Sequence, residues 1–196
     1  MIIIYKILLG VGRIKLEIEN LKEALEMITS SRGFYRLIPE VRTNIVMAKE
    51  NARTINDVAG IPGRITVHRR EVFACREPEY GASSHLARLI LEIRKYDPTL
   101  RSGINIKYDK AIIEICERMG LKVSYYDRRK EPTEIKGKEG ATIPWGVKVA
   151  VKRIGKVPDV IYHKGDWGKE PMIVLLAADA VEAARIAIKI GDEYEV

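Results

Sequence analysis

Gly81-Ala82-Ser83-Ser84-His85 is a stretch well suited to holding an anion. Small residues let a backbone approach a ligand closely. Leu86, Leu89, Ile90 and Ile93 then recur at helical spacing, so a helix is expected to begin directly afterwards. The open N–H groups of a first helical turn, together with the helix dipole, attract negative charge. Ser83 and Ser84 would add hydroxyls, and His85 an imidazole. A plain helix cap explains the same serines about as well. Arg64 follows Pro62-Gly63 and leads into a run of strand character, a position from which a guanidinium can fork onto a phosphate. A solvated edge charge is the commoner fate of a lone arginine, and Arg69 and Arg70 read as such charges on a hairpin turn. Gly165-Asp166-Trp167-Gly168-Lys169-Glu170-Pro171 offers two flexible glycines, a cation and two carboxylates. That composition suits a ligand loop and suits an ordinary turn slightly better. His68, His85 and His163 are too scattered for a zinc signature, and no P-loop, GxGxxG or GxSxG pattern occurs.

The elements that must carry these residues alternate between helical and extended. Leu21, Leu25 and Ile28 mark a helix over 20–31 with Asn20 as its N-cap. Short strands are expected at 35–39 and 44–48. A hairpin is expected from 63–68 and 71–75 about Arg69-Arg70. A strand at 104–107 precedes a helix capped by Asp109 and closed by Gly120. A strand at 121–126 follows. Pro144 fits the first position of a helix running to Ile154. Strands at 160–163 and 172–177 lead to a last helix, which Asp179 and Glu182 start like a capping box and which ends at Gly191. The fold class is α/β, and the hairpin argues against a purely parallel sheet. Loops at 127–143 and 163–171 lie beside strand ends, where such folds place ligands.

Composition bounds the partners. The chain has 196 residues, 46% hydrophobic and 31% charged, which fits one globular domain and excludes disorder. Its net charge of +7 asks for an acidic partner: nucleic acid, an anionic membrane or a phosphorylated small molecule. No basic–aromatic stretch supports nucleic-acid binding. Cys75 and Cys116 form no CxxC pair, so a reducing, cytoplasmic setting is expected. The apolar opening Met1 to Leu9 is interrupted by Lys6 and falls short of the ~20 residues of a membrane span. Residues 1–15 are expected to be an extension or edge strand, and 16–196 a single domain. Base rates favour a homodimer if the chain self-associates.

Taken as a set, several stretches resemble the archaeal-type thiamine-phosphate synthase domain, the ThiN type, found fused behind a hydroxymethylpyrimidine phosphate kinase. They are Ile38-Pro39-Glu40-Val41 with Asn44, Gly81 to His85, Asn105 to Asp109, Asp127-Arg128-Arg129, Pro144-Trp145-Gly146, and Pro158 to His163 continuing through Gly165 to Pro171. Each is weak alone, but together they span nearly the whole chain. Three positions depart from the family's pattern: Arg42 stands where glycine is common, Lys107 replaces a frequent arginine, and Tyr125-Tyr126 replaces a smaller pair.

The resemblance implies a three-layer α/β/α sandwich with a mixed, largely antiparallel sheet, similar to class II aldolases but without their zinc histidines. It implies a transferase that joins hydroxymethylpyrimidine diphosphate to a thiazole phosphate and releases pyrophosphate. Arg64 and His85 match the family's catalytic arginine and histidine. The resemblance further implies substrate or phosphate contacts from Glu40, Asn44, Ser83, Ser84, Asn105, Asp127, Arg128, Trp145, Gly146, His163, Asp166, Gly168 and Lys169. Trp145 fits a ring-stacking role or the core. Mg2+ is expected to ride on the substrate diphosphate, with Asp127 or Asp166 helping. A kinase is the expected fusion or partner. Two rivals stand beside the enzyme: a thiamine-phosphate-binding sensor domain of a transcriptional regulator, and a nucleic-acid binder explained by charge. Residues 1–19 are too short for the helix-turn-helix that the sensor would need.

Overall fold

The structure, a computed structural model, describes residues 16–195. The extension or strand expected at 1–15 lies outside the described residues. Helix α1 (Leu16–Ser30) buries Leu21, Ala24, Leu25 and Ile28, one stripe at i, i+3, i+4 and i+7. Each large apolar side chain so buried stabilises the fold by roughly 1.5–3 kcal/mol. A single 3-10 turn, Phe34–Leu37, then leads to β1 (Ile45–Ala48), β2 (Val58–Gly60) and the hairpin β3 (Ile65–His68) and β4 (Glu71–Ala74). The two-residue strand β5 (Glu79–Tyr80) precedes α2 (Ser84–Ile93), β6 (Ser102–Lys107) and α3 (Lys110–Arg118). The chain continues through β7 (Val123–Tyr125), α4 (Thr133–Lys136), α5 (Thr142–Ile154), β8 (Val160–His163), β9 (Met172–Ala177) and α6 (Ala180–Glu193).

Seven strands form one sheet in the order β5-β2-β1-β6-β9-β8-β7, and β3 and β4 stand apart as a two-stranded ribbon. Every neighbour pair in the large sheet is antiparallel except β7–β8. Alternation along the strands feeds two cores. Ile45 and Met47 of β1, Ile104 and Ile106 of β6, and Ile173 and Leu175 of β9 meet α1, α3 and α6. Val46, Ala48, Val174 and Leu176 point the other way and meet α2 and α5. The result is the expected three-layer α/β/α arrangement with a mixed, largely antiparallel sheet.

Several local expectations change. The segment expected as a strand at 35–39 is a 3-10 turn, with only Ile38 extended after it. Helix α1 starts before Asn20, so Asn20 is no cap of its own helix. Its Oδ1 instead accepts the Ala180 N–H at 2.8 Å, capping α6 from across the fold. Asp179 accepts the Glu182 N–H and Glu182 accepts the Ala178 N–H, which completes that helix start. Pro144 sits third in α5 rather than first, still within the turn that needs no N–H donors. Strands β2 and β5 and helix α4 were not expected. Gly120 does close α3 in the left-handed region, with the Leu121 N–H returning to the Cys116 carbonyl.

Candidate active site

A cavity of about 370 Å³ opens where α2 begins, between the ends of β1, β6, β8 and β9. That volume suits a small organic ligand. Its two ends differ in chemistry. One is cationic, lined by Arg64, Arg128, Lys169 and His85. The other is apolar, with Leu86 and Leu89 of α2, Ile143 of α5, Ile161 of β8 and Val174 of β9.

Ser83 occupies the N-cap position of α2 but makes no side-chain cap hydrogen bond. The amides of the first turn are thus left for a ligand, which favours the anion site over the plain cap. His85 is reached by water through the cavity, yet the surrounding walls strip much of its hydration. That desolvation, followed by the charges of Arg128, Arg64, Arg88 and Lys169, lowers its pKa to about 4. The ring is therefore neutral in the free protein at pH 7.

Arg64 is held by backbone geometry that few residues adopt. Its φ is 71°, directly after Gly63 at 72°. Its N–H closes a turn onto Ile61 O, Cys75 N–H binds its carbonyl, and its guanidinium reaches the Val41 carbonyl. Two buried asparagines fix that turn against the sheet. Asn44 accepts the Ile61 N–H and donates to the Ile61 carbonyl, both at 2.9 Å. Asn105 accepts the Asn44 N–H at 2.8 Å and donates to the Arg42 carbonyl at 3.1 Å. Arg42 itself has a φ of 67°. Glycine adopts that conformation freely, which gives a physical reason for a glycine at this position in the resembled family.

The facing wall is the 163–171 loop. Gly165 has a φ of 78°, and a Cβ there would fall 2.3 Å from the Lys169 carbonyl, so only glycine fits. Asp166 and Lys169 exchange backbone hydrogen bonds, which folds Lys169 back towards the cavity. Glu170 takes the N–H groups of Glu40 and Val41 at 2.9 and 3.0 Å, latching this wall to the segment before Arg64. His163 is buried and lowered to about 3 by desolvation, then by Arg128 and His85. Tyr126 forms the floor, its hydroxyl pushed up to about 12 by burial, so it stays protonated. Arg128 comes from the 3-10 turn Arg128–Lys130 after β7, and its buried Nε has no hydrogen-bond partner among the described residues.

The cavity thus brings together nine of the residues singled out from sequence: Arg64, His85, Asn44, Ser83, Asn105, Arg128, His163, Gly168 and Lys169. Others stand back from it. Glu40 contributes its backbone to the latch. Ser84 is exposed on the first turn of α2. Trp145 is half-buried and meets Tyr126 edge-to-face at 5.8 Å, packed against the core between α5 and the sheet. Gly146 lets α5 approach that same ring: a Cβ there would sit 2.7 Å from Tyr126. Sequence reasoning missed Tyr126 as a lining residue and the apolar end, and it offered Glu170 as a cation ligand where it is a latch. Strand alternation carried a usable signal for Tyr126, since it turns inward while Tyr125 is exposed.

Neither Asp127 nor Asp166 is among the cavity-lining residues, and each is paired with a cation. Asp127 takes three hydrogen bonds from Arg129, which draw its carboxyl down to about 2, and Asp166 pairs with Lys136. Glu170 is the one carboxylate among the cavity-lining residues, and both its oxygens are committed to the latch. No group of three or more His, Cys, Asp or Glu residues among those described could hold a metal ion. The side chains do not build a protein-held magnesium site. No described helix is long and apolar enough to cross a membrane.

Comparison with known proteins completes the assignment. The family model for thiamine-phosphate synthase ThiN matches residues 20–189. Thiamine-phosphate synthase ThiN of Methanothermobacter thermautotrophicus is 56% identical over 180 residues, covering 92% of this chain and 95% of that protein. The bifunctional thiamine biosynthesis protein ThiDN of Methanocaldococcus jannaschii is 37% identical over 86% of this chain, which spans 39% of its length. The solved C-terminal domain of a phosphomethylpyrimidine kinase superposes with a TM-score of 0.83 at 47% identity, over 90% of this chain and 98% of that domain. The chain belongs to the thiamine-phosphate synthase ThiN family.

Proposed function

We propose that this cavity is where the chain joins hydroxymethylpyrimidine diphosphate to hydroxyethylthiazole phosphate, forming thiamine phosphate and pyrophosphate. The observation that carries the reading is the division of one cavity into a cationic mouth and an apolar floor, in a member of a synthase family. Phosphate oxygens suit Arg64, Arg128, Lys169 and the first-turn amides of α2. Flat heterocycles suit the floor above Tyr126.

The step is a displacement at the pyrimidine methylene. Its C–O bond to the diphosphate breaks, and pyrophosphate leaves with the electron pair. The thiazole nitrogen lone pair forms the new C–N bond. Charge builds on the departing oxygens, so fixed cations and amides stabilise that stage more than the ground state. The buried walls hold both rings at reacting distance. A bound diphosphate offsets the four cations that depress His85. That raises the pKa of the imidazole and lets it donate a hydrogen bond or proton to the leaving group.

Magnesium enters this proposal only as a counter-ion carried on the diphosphate, and no step runs through it. A kinase, as a fused segment or a partner, is the proposed source of the pyrimidine diphosphate. The solved relative described as part of a phosphomethylpyrimidine kinase supports that arrangement.

The test is turnover by the purified chain given both substrates and Mg2+. Equal amounts of thiamine phosphate and pyrophosphate are expected. Tight binding of thiamine phosphate without turnover would replace the synthase by a sensor.

A further inference from the structure

His85 and His163 line the same cavity but are held differently. The Nδ1 of His163 accepts the Gly165 N–H at 3.1 Å in a buried setting. An amide donor facing Nδ1 requires a lone pair there, so the ring proton of neutral His163 must sit on Nε2. Moving that proton to Nδ1, or adding a second one, would set two donors against each other and leave the buried Gly165 amide unpaired. Gly165 cannot swing away cheaply, because its left-handed backbone and its contact with Lys169 fix it. The groups facing the ring are Arg128, His85 and Tyr126, whose ring centroid lies 5.2 Å away. Arg128 opposes a charge on the ring, and Tyr126 supplies a flat wall. Nε2 has no protein hydrogen-bond partner among the described residues.

We infer that His163 is a tautomer-locked Nε2–H donor that reads an uncharged acceptor on the heterocycle of the bound substrate or product. Its place at the junction between cationic mouth and apolar floor supports this. A phosphate is better served by Arg128, whereas the Tyr126 ring against His163, with Ile161 in the same lining, suits a flat neutral group. The lock also ties recognition to the 163–171 loop, because one amide of that loop sets the tautomer and the same loop presents Lys169. The ligand part of the inference rests on the synthase reading. The tautomer does not.

Two experiments separate these parts. In 15N NMR of the free protein at neutral pH, the Nε2 of His163 is expected to carry the proton. A proton on Nδ1 overturns the inference whatever the protein catalyses. Binding of pyrophosphate and of thiamine phosphate is then compared for wild type, His163→Gln and His163→Phe. Gln retains an N–H donor, and Phe retains only the ring. Pyrophosphate affinity is expected to stay within ~3-fold in all three. Thiamine phosphate affinity is expected to hold within ~3-fold for Gln and to fall ~10-fold or more for Phe. A parallel loss of pyrophosphate binding would reduce His163 to a structural role and overturn the inference, as would unchanged thiamine phosphate binding by Phe. If wild type binds pyrophosphate but not thiamine phosphate, the synthase reading fails and the ring-recognition claim goes with it.

Discussion

Four arginines hold the left-handed backbone among the described residues, and they fall into two pairs. Arg42 and Arg64 flank the mouth of the cavity. Arg69 and Arg70 form the two-residue turn of the β3–β4 hairpin, with φ values of 49° and 72°. Both pairs occupy a conformation that costs a non-glycine residue about 1–3 kcal/mol. Their surroundings differ. The turn of Arg64 is tied to the sheet by Asn44 and Asn105, and its guanidinium is fixed on the Val41 carbonyl near His85 of α2. The hairpin tip is exposed and its turn type would suit Asn-Gly; Arg70 reaches only the Tyr35 ring, 5.8 Å from its centroid, and no buried polar network among the described residues ties the turn down. Strain alone therefore does not mark the site. Strain over-determined by a buried polar network, next to a cavity, does.

Arg64→Gly should separate the two arginine pairs most strongly. Relief of the left-handed strain should offset the lost hydrogen bond to Val41, leaving stability within about 1 kcal/mol of wild type. The rate of thiamine phosphate formation should nevertheless fall ~10²-fold or more, because a charge on the leaving oxygens is lost. A rate near wild type would remove Arg64 from the chemistry.

Gly146→Ala probes the floor rather than the mouth. Its methyl would strike the Tyr126 ring and drive it towards the cavity. A loss of about 1–3 kcal/mol in chemical denaturation is expected, with a clear fall in turnover. Stability lost without any change in turnover would show that the floor does not shape the site.

The pH dependence of stability is a smaller effect. His85 and His163 titrate near 4 and 3 when folded, against 6.5 as unperturbed groups. Between those values the unfolded chain binds more protons. Their contribution is thus complete above about 6.5 and is lost as pH falls towards 4 and below. Urea unfolding of wild type and His85→Gln across this range should show a shallower decline for the variant. Identical slopes would mean that His85 is not depressed.

Arg70→Gly should change least. It relieves strain at the exposed tip but gives up the cation–π contact with Tyr35, so stability should stay within about 1 kcal/mol of wild type while turnover stays within ~2-fold. A large drop in turnover would erase the distinction between the two arginine pairs.

The sequence made some of this legible for local reasons. The Arg69-Arg70 hairpin, the Asp179–Glu182 helix start and the Gly120 stop depend on residues a few positions apart. The start of α2 after Ser83 was equally visible, because small residues and a helical stripe adjoin in the chain. What escaped depends on distant partners. Asn20 looked like the cap of its own helix and caps another one 160 residues away. Gly146 looked like a ligand contact, and its reason lies in Tyr126, the residue after strand β7. Glu170 looked like a carboxylate free to bind a cation, and two backbone amides from 40–41 occupy it. Asp127 and Asp166 each carry a cation partner that spacing alone does not foretell.

On the proposed function, one cavity, cationic at its mouth and apolar at its floor, holds both the phosphate chemistry and the rings. A crystal structure with thiamine phosphate bound tests it most directly. The phosphate should lie within hydrogen-bonding reach of at least two of Arg64, Arg128, Lys169 and the first-turn amides of α2, with a ring against Tyr126 and His163. Thiamine phosphate bound instead in the groove between α1 and β4, beside Lys22 and Cys75, would contradict it.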